Sequence, residues 1–304
     1  MKKSQLAETA IDRIEKVFGR HQGYRRAHAR GKSYRARFTA TGSASELTTA
    51  SHLQKGESRA FVRFSHFSPD PTWADAMSPV KGMAVQFELA NGEATNIVGV
   101  TSPIFFAKTP EIFTEMLGVA KSFKKGKPSI TELAGLLKDY PESGAMLNNI
   151  RKMQAPASFA TGQYNSVHAF YFIDLKGQRR PVKYLWEPEE AVETLSPLDA
   201  VKLPVGSFEA DIEDRIAKGP VNFRLDVILG QPEDPTDDPT KEWPDDREKL
   251  TIGYLAIVEE APEADEIVFD PTLVTEGIAC SEDRILNFRH DAYRISHQRR
   301  MSEQ

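Results

Sequence analysis

Short segments of alternating polar and apolar residues dominate the chain and limit the folds that it can adopt. Four of them lie between residues 31 and 104, and they read YRARFTATG, SRAFVRFSH, KGMAVQFEL and ATNIVGV. Gly, Pro, Asn and Asp cluster between them, as is typical of strands joined by turns. Similar segments return later as SVHAFYFIDLKGQRRPVKYLWEPE, VNFRLDVILGQ and KLTIGYLAIVEE. The pattern predicts an antiparallel barrel or closed sheet.

Other segments have the period of an α-helix. Near the N-terminus, apolar residues at helical spacing predict an amphipathic helix over about 4–19, ended by Gly19. TPEIFTEMLGVAKSFKKG begins with Thr109 as N-cap and Pro110 at the first helical position, and SITELAGLLKDYPESGAMLNNIRKM continues in helical period. A last helix is expected over about 281–300. With strands and inserted helices over about 30–262, we expect one α+β domain spanning 1–304.

Composition narrows the class of protein. The 304 residues are 40% hydrophobic and include 17 Phe, enough for a substantial core. Charged residues interrupt the apolar residues near the N-terminus, so this segment is not expected to be a signal peptide. No segment has an uninterrupted apolar run long enough to span a membrane. Cys280 is the only cysteine, which excludes an internal disulfide, and we expect it to be an inert, partly buried thiol. These features predict a cytoplasmic protein.

An acidic, Pro-rich stretch, PEDPTDDPTKEWPDD, separates two of the late strands. It predicts an ordered surface loop or a solvated linker. Metal binding by its aspartates is the less favoured alternative.

The stretch RRAHARG, residues 25–31, places three arginines around His28. Clustered Arg often meets nucleic acid, but the cluster is short, the net charge is −5, and the run that follows it alternates like half-buried sheet. The pattern therefore favours a local anionic ligand and argues against nucleic acid.

The C-terminal helix has an unusual polar face. On a helix Arg289, Tyr293 and Arg300 fall on one stripe, with Ser296 and His297 close by. The opposite face carries three apolar residues that can anchor the helix, namely Phe288, Ala292 and Ile295. Periodicity alone allows either an exposed, basic helix end or a phenolate ligand for a metal beside a guanidinium.

In order along the chain, six motifs resemble those of the haem catalase family, in its small catalase-related peroxidase (mini-catalase) branch. They are RAHARG, VRFSHF, VGVTSPIFFAKTPEIF, DPTKEWP, IVFDPTLVTEGI and RHDAYRISHQRR. The resemblance implies a catalase core: an eight-stranded antiparallel β-barrel with flanking helices and a buried haem b, iron protoporphyrin IX. Large members add an N-terminal arm, a wrapping segment and a helical domain, for which this chain has no room. A homodimer is therefore expected.

The resemblance also implies roles for individual residues. His28 takes the position of the distal histidine, which moves a proton between the peroxide oxygens, and Ser65 that of the hydroxyl that orients it. Tyr293 takes the position of the axial iron ligand, as in catalases generally. Arg289 pairs with the phenolate. Asp283 and His168 match the charge network behind that arginine.

Further residues match the surroundings of the haem. Arg25, Arg63 and Arg300 match the arginines that bind its two propionates, for which a guanidinium is well suited. Three phenylalanines match aromatic side chains near the distal pocket, namely Phe105, Phe106 and Phe113, of which Phe106 could also be a core residue. Arg26 and Arg30 match no such role and are expected to be solvated.

Two positions depart from the family pattern. Val100 stands where large catalases have an asparagine that orients a second hydrogen peroxide. Pro79 stands where they have an aspartate in the access channel. Both changes favour apolar substrates, so we predict a haem peroxidase that reduces organic hydroperoxides and hydrogen peroxide with a reducing co-substrate, and that has weak catalase activity.

Other functions remain as alternatives at this point. Within the same fold they are a hydrogen peroxide-dismutating catalase, a hydroperoxide-rearranging enzyme resembling allene oxide synthase, and a haem-binding or haem-storage protein. Val100 argues against the rearranging enzyme, because that subgroup keeps the asparagine. The pair His28 and Ser65 argues against storage, which needs no acid–base group. A lipid-binding barrel without haem would leave Arg289 and Tyr293 unexplained.

Overall fold

A closed antiparallel β-barrel forms the centre of the computed structural model, which describes residues 3–124, 135, 138–140, 144 and 155–303. The strands are β1 Gly31–Ala40, β2 Gly56–His66, β3 Lys81–Glu88, β4 Ala94–Val100, β5 Ala155–Pro156, β6 Tyr164–Asn165, β7 Phe170–Ile173, β8 Arg179–Pro188, β9 Thr194–Leu195, β10 Val221–Leu229, β11 Lys249–Glu260 and β12 Ile278–Cys280. The helices are α1 Lys3–Phe18, α2 Pro110–Lys124, α3 Pro197–Ala200, α4 Ser207–Ile216 and α5 Arg284–Met301. Short 3₁₀ turns cover Ser51–Leu53, Asp75–Met77 and Pro262–Glu266.

Eight strands close the barrel, in the order β10, β11, β1, β2, β3, β4, β6 and β8, and β8 pairs back to β10. Strands β6 and β7 both pair with β8, at different parts of its length, and β12 pairs with β7. The predicted eight-stranded barrel with flanking helices is thus confirmed.

Strand alternation divides the barrel wall into two faces. On β2, Val62 and Phe64 are fully buried in the aromatic core inside the barrel. Arg63 and Ser65, which alternate with them, point to the other face and line a cavity outside the barrel. The barrel interior is filled with side chains, so the site lies against its outer face.

Three helices cover that outer face. The buried face of α1 packs against Leu117 of α2 and against Phe288 and Ile295 of α5. The apolar anchor predicted for the last helix is therefore confirmed. No helix in the described parts of the chain is long and apolar enough to cross a membrane.

The helix boundaries follow local capping. Helix α1 ends before Gly19, which has φ +97° and so takes a conformation that favours glycine. The Thr109 hydroxyl accepts a hydrogen bond from the Ile112 amide at 3.4 Å, as expected for the start of α2. Helix α5 begins at Arg284 rather than at 281, because Asp283 caps it and accepts from the amides of Ile285 and Leu286. The predicted helical run over 129–153 lies largely outside the described residues.

The acidic stretch after β10 is an ordered loop rather than a solvated linker. Asp234 and Asp238 are buried, and they pair with Arg247 at 2.7 Å and with Lys108 at 3.1 Å. Cations from the protein therefore neutralise these carboxylates.

The expectation that Arg26 and Arg30 are solvated is wrong. Only 4% of Arg26 is exposed, and its guanidinium joins Glu15 of α1 at 2.7 Å to Glu303 after α5. The Arg30 guanidinium pairs with the buried carboxylate of Asp75. Both arginines are structural ion-pair partners, a role that depends on carboxylates distant in the sequence.

Candidate active site

A cavity of about 560 Å³ lies between the outer face of β2–β4 and the helices α1, α2 and α5. It is lined by every residue that the sequence analysis assigned to catalysis, to iron ligation or to the propionates. The lining includes Arg25, His28, Arg63, Ser65, Phe105, Phe113, Arg289, Tyr293 and Arg300. Strand register and helix packing bring these residues together from four distant parts of the chain.

His28 lies immediately before β1 in a strained conformation. Its φ of 52° makes it the one non-glycine residue with a positive φ in the described ranges. Such a conformation costs of order 1–3 kcal/mol and persists only where its surroundings enforce it. The ring Nδ1 lies 2.9 Å from Ser65 Oγ, and the Phe67 ring packs edge-on at 5.1 Å. These contacts hold the imidazole toward the cavity.

Gly82 of β3 provides the space in which the imidazole lies. A Cβ at this position would sit 2.8 Å from both Cε1 and Nδ1 of His28 and 2.9 Å from Ser65 Oγ. Any other residue must therefore displace the histidine or the serine. The role of Gly82 could not be predicted from the sequence, because nothing in a strand pattern shows which side chain approaches from a loop.

The protonation of His28 follows from its surroundings. Burial, together with the positive charges of Arg289 and Arg63, lowers the pKa of His28 to about 3. The ring is thus neutral at physiological pH. In the tautomer whose Nδ1–H donates to Ser65 Oγ, the other nitrogen, Nε2, is a proton acceptor that faces no donor from Ser65.

The opposite side of the cavity carries a chain of four polar groups. Arg289 Nη2 donates to Tyr293 Oη at 2.6 Å, and Arg289 Nη1 donates to His168 Nε2 at 3.1 Å. His168 Nδ1 then donates to Asp283 Oδ2 at 2.6 Å. A guanidinium thus lies beside the tyrosine oxygen and donates a hydrogen bond to it. The exposed, merely basic helix end is excluded, since this face lines the cavity.

Three arginines converge at one end of the cavity, and none of them forms an ion pair with a carboxylate among the described residues. Arg25 donates to the carbonyls of Asp265 and Ile267, Arg63 to that of Ala29, and Arg300 to those of Asp265 and Glu266. Burial lowers the pKa of Arg63 to about 10, and burial with the charges of Arg63 and Arg300 lowers that of Arg25. Each guanidinium is thus only partly satisfied by backbone oxygens.

A dianionic ligand fits this end of the cavity. No Asp or Glu from the described residues is among those that line it, whereas five arginines are. Arg300 Nε is buried and has no hydrogen-bond partner in the part of the chain that the structure describes. Buried donors of this kind are costly unless an acceptor reaches them. The two propionates of haem would supply the acceptors, and Tyr293 an oxygen ligand for its iron.

Aromatic and aliphatic side chains form the remaining wall. The ring of Phe106 lies 4.4 Å from that of Phe105 and 5.6 Å from that of Phe113, and all three line the cavity. Val100, at the end of β4, also lines it. Pro79, which is expected to stand in the place of the channel aspartate, does not line the cavity, but the next residue, Val80, does. The substitution nonetheless leaves this wall apolar.

Known proteins resemble this chain over nearly its whole length. A family model described as Catalase matches residues 9–304. A catalase-related peroxidase of Mycolicibacterium paratuberculosis is 35% identical over 294 residues, which cover 95% of this chain and 93% of the relative. A catalase-related peroxidase of Synechococcus elongatus is 30% identical, with 96% and 88% covered.

A solved structure supports the fold. The crystal structure of a fungal catalase matches with a TM-score of 0.81 at 20% sequence identity, over 91% of this chain and 60% of the fungal one. The barrel, its helices and the family match agree. The chain belongs to the catalase family.

Proposed function

We propose that the protein is a haem-dependent peroxidase that reduces organic hydroperoxides, and hydrogen peroxide, at the expense of an electron donor, and that its catalase activity is weak. The observation that carries the proposal is the pairing, around one cavity, of an Arg289–Tyr293 ligand group with a His28–Ser65 acid–base group. The two relatives named catalase-related peroxidases support it.

The catalase family implies a haem, and we propose haem b, held without covalent attachment. Tyr293 would be the axial ligand, and Arg25, Arg63 and Arg300 would bind the propionates. When bound, the haem supplies the electrons that break the O–O bond and is restored by the donor. Arg289 would hold the tyrosine oxygen in place through the hydrogen bond that its guanidinium donates at 2.6 Å.

His28 would move the proton that the reaction needs. Its Nε2 accepts a proton from the hydroperoxide and returns it to the leaving oxygen, while Ser65 holds the ring in the required tautomer. Reduction consumes two electrons and two protons and releases an alcohol and water. A storage protein would have no use for a strained histidine with a pKa near 3.

The apolar wall would set the substrate class. Val100 has no donor for a second peroxide, and one oriented hydrogen bond to a reacting group is worth about 2.7–4 kcal/mol in a transition state. Phe105 and Phe113 give a bulky hydroperoxide an apolar surface. Dismutation of hydrogen peroxide would suffer more than peroxide reduction, so we favour a peroxidase over a dismutating catalase. We also propose one domain over 1–304, a homodimer and a cytoplasmic location.

The test compares oxygen release from hydrogen peroxide with donor oxidation by a bulky, apolar hydroperoxide, in wild type and Val100→Asn at matched haem content. We expect wild type to favour donor oxidation, and Val100→Asn to release oxygen faster while its oxidation of the donor holds steady or falls. A variant that releases oxygen no faster than wild type would show that Val100 does not limit dismutation. A wild type that releases oxygen rapidly without oxidising a donor would contradict the proposed peroxidase.

A further inference from the structure

A second buried polar cluster, formed by Arg30, His66, Asp75, Lys81 and Glu209, lies at the end of the barrel behind the candidate acid–base pair. The exposed fraction is 0% for Lys81, 1% for Asp75 and 2% for His66. A lysine without exposed surface is rare unless its charge is compensated. None of these residues has a direct role in the proposed reaction with peroxide.

The cluster is attached to the acid–base pair by the register of two strands. In the β2–β3 ladder Ser65 faces Gly82, and the neighbouring rung joins His66 to Lys81. Successive side chains of a strand point to opposite faces. The rung that touches His28 on the cavity side is therefore directly followed by a rung whose side chains point into the barrel.

The Lys81 ammonium is fully hydrogen-bonded. It has three N–H groups, and Nζ lies 2.9 Å from His66 Nδ1, 2.9 Å from the Asp75 carbonyl and 2.6 Å from the Ser78 carbonyl. The two carbonyls belong to the Asp75–Ser78 turn, and Val80, two residues later, lines the cavity. One side chain thus ties β2, β3 and this turn together.

The charges of the cluster cancel. Arg30 pairs with Asp75 and, at 3.4 Å, with Glu209, which also accepts from His66 Nε2 at 3.2 Å. The groups of His66, Asp75 and Glu209 lie close enough to hold a metal ion. Two protein cations already compensate the two carboxylates, however, and this argues against a divalent metal. The cluster is an internal ion-pair network.

Loss of a proton from Lys81 would break this arrangement. Burial lowers the pKa of Lys81 to about 7, although Asp75 and Glu209 oppose the shift and Arg30 adds to it. The other facing groups are His66 and the ring of Phe208, whose centre is 4.3 Å from Nζ. A neutral amine has two N–H groups for three acceptors. One link to the turn or to His66 is then lost.

We propose that Lys81 is a positioning residue for the reaction with peroxide, and that its ammonium holds the β2–β3 rung and the Asp75–Ser78 turn so that His28 and Ser65 stay in place. This inference rests on the proposed function. Lys81 does not line the cavity and acts only through Ser65, Gly82 and Val80.

The test uses Lys81→Met, which removes the donors, and Lys81→Arg, which keeps a permanent charge. The measurement is kcat/KM for one small hydroperoxide from pH 5.5 to 9 in the holoenzyme at matched haem content. We expect the wild-type value to fall roughly tenfold as the pH rises through the range where Lys81 loses its proton, because small displacements of a reacting group are costly. Lys81→Met should be low throughout, whereas Lys81→Arg should stay high without the alkaline fall.

Lys183→Met is the matched control, since Lys183 is a second buried lysine, with Nζ 5.0 Å from the centre of the Trp243 ring. Its pH profile should keep the wild-type shape. The inference is overturned if Lys81→Met keeps the wild-type kcat/KM and pH profile, or if the kcat/KM of wild type does not fall at alkaline pH. It is also overturned if Lys81→Met and Lys183→Met change the pH profile alike. Should Lys81→Met fail to fold, an alkaline fall in Lys81→Arg equal to that of wild type overturns it. A wild type that does not react with peroxide would overturn the proposed function itself.

Discussion

Replacement of Gly82 by alanine should slow the reaction with peroxide without removing the cofactor site. The added Cβ would lie 2.8 Å from two atoms of the His28 ring, whereas carbon atoms in contact prefer about 3.5–4.0 Å. The imidazole must therefore move by roughly 0.7–1.2 Å. A displacement of this size at a reacting group can cost about 100-fold in rate. The overpacking should also cost about 1–3 kcal/mol of folding free energy.

The assay is the second-order rate constant for reaction of the haem-loaded protein with a hydroperoxide, measured by stopped flow. Gly99→Ala is a suitable comparison, because Gly99 is on the neighbouring strand and also lines the cavity. Its Cβ would meet Tyr164 Cβ at 3.2 Å, which a shift of a few tenths of an ångström relieves, and His28 is not among its nearest atoms. We expect a much smaller loss of rate in that variant. A Gly82→Ala protein with the wild-type rate constant would refute the inferred role of His28.

Three further outcomes follow from the same structure. His28→Ala should keep haem but react with peroxides about 100- to 10,000-fold more slowly, as stopped flow would show, and an unchanged rate would remove His28 as the catalyst. The pKa of His28 is about 3 in the folded protein and about 6.5 when unfolded, so its neutral form contributes stability above pH 6.5 that is lost as the pH falls. Urea titrations should therefore show that wild type loses more stability than His28→Gln between about pH 6.5 and 4. Equal losses in the two proteins would contradict this. Burial raises the pKa of Cys280 to about 11, so iodoacetamide at pH 8 should label it far more slowly in the native than in the unfolded protein, and equal labelling rates would show a reactive thiol.

The strand and helix patterns were sufficient to predict most of the barrel and both terminal helices. The sequences of the long strands β1 to β4 alternate, and burial alternates along most of β1, whereas the second half of β2 is buried on both faces because the helices cover its outer side. The two-residue strand β6 and the helix α4 were not predicted. A two-residue strand exists only through its pairing with neighbours, and α4 follows a loop without a side-chain cap at its first turn.

The site residues came from motifs, and the structure adds what motifs do not contain. Helical spacing alone placed Arg289 beside Tyr293, and the 2.6 Å bond agrees with it. The ion pairs of Arg26 and Arg30 depend on residues up to 277 positions away, which periodicity does not reveal. The close approach of Gly82 to His28 likewise depends on strand register.

The central claim is that Tyr293 ligates a haem in this cavity. The most direct measurement is the visible absorption spectrum of the protein purified or reconstituted with haem, in wild type and in Tyr293→Phe, with circular dichroism to show that the barrel is folded. We expect wild type to bind haem with the spectrum of a phenolate-ligated ferric iron, and folded Tyr293→Phe to retain little or none. A wild type that binds no haem, or a Tyr293→Phe protein that binds it with an unchanged spectrum, would contradict the account.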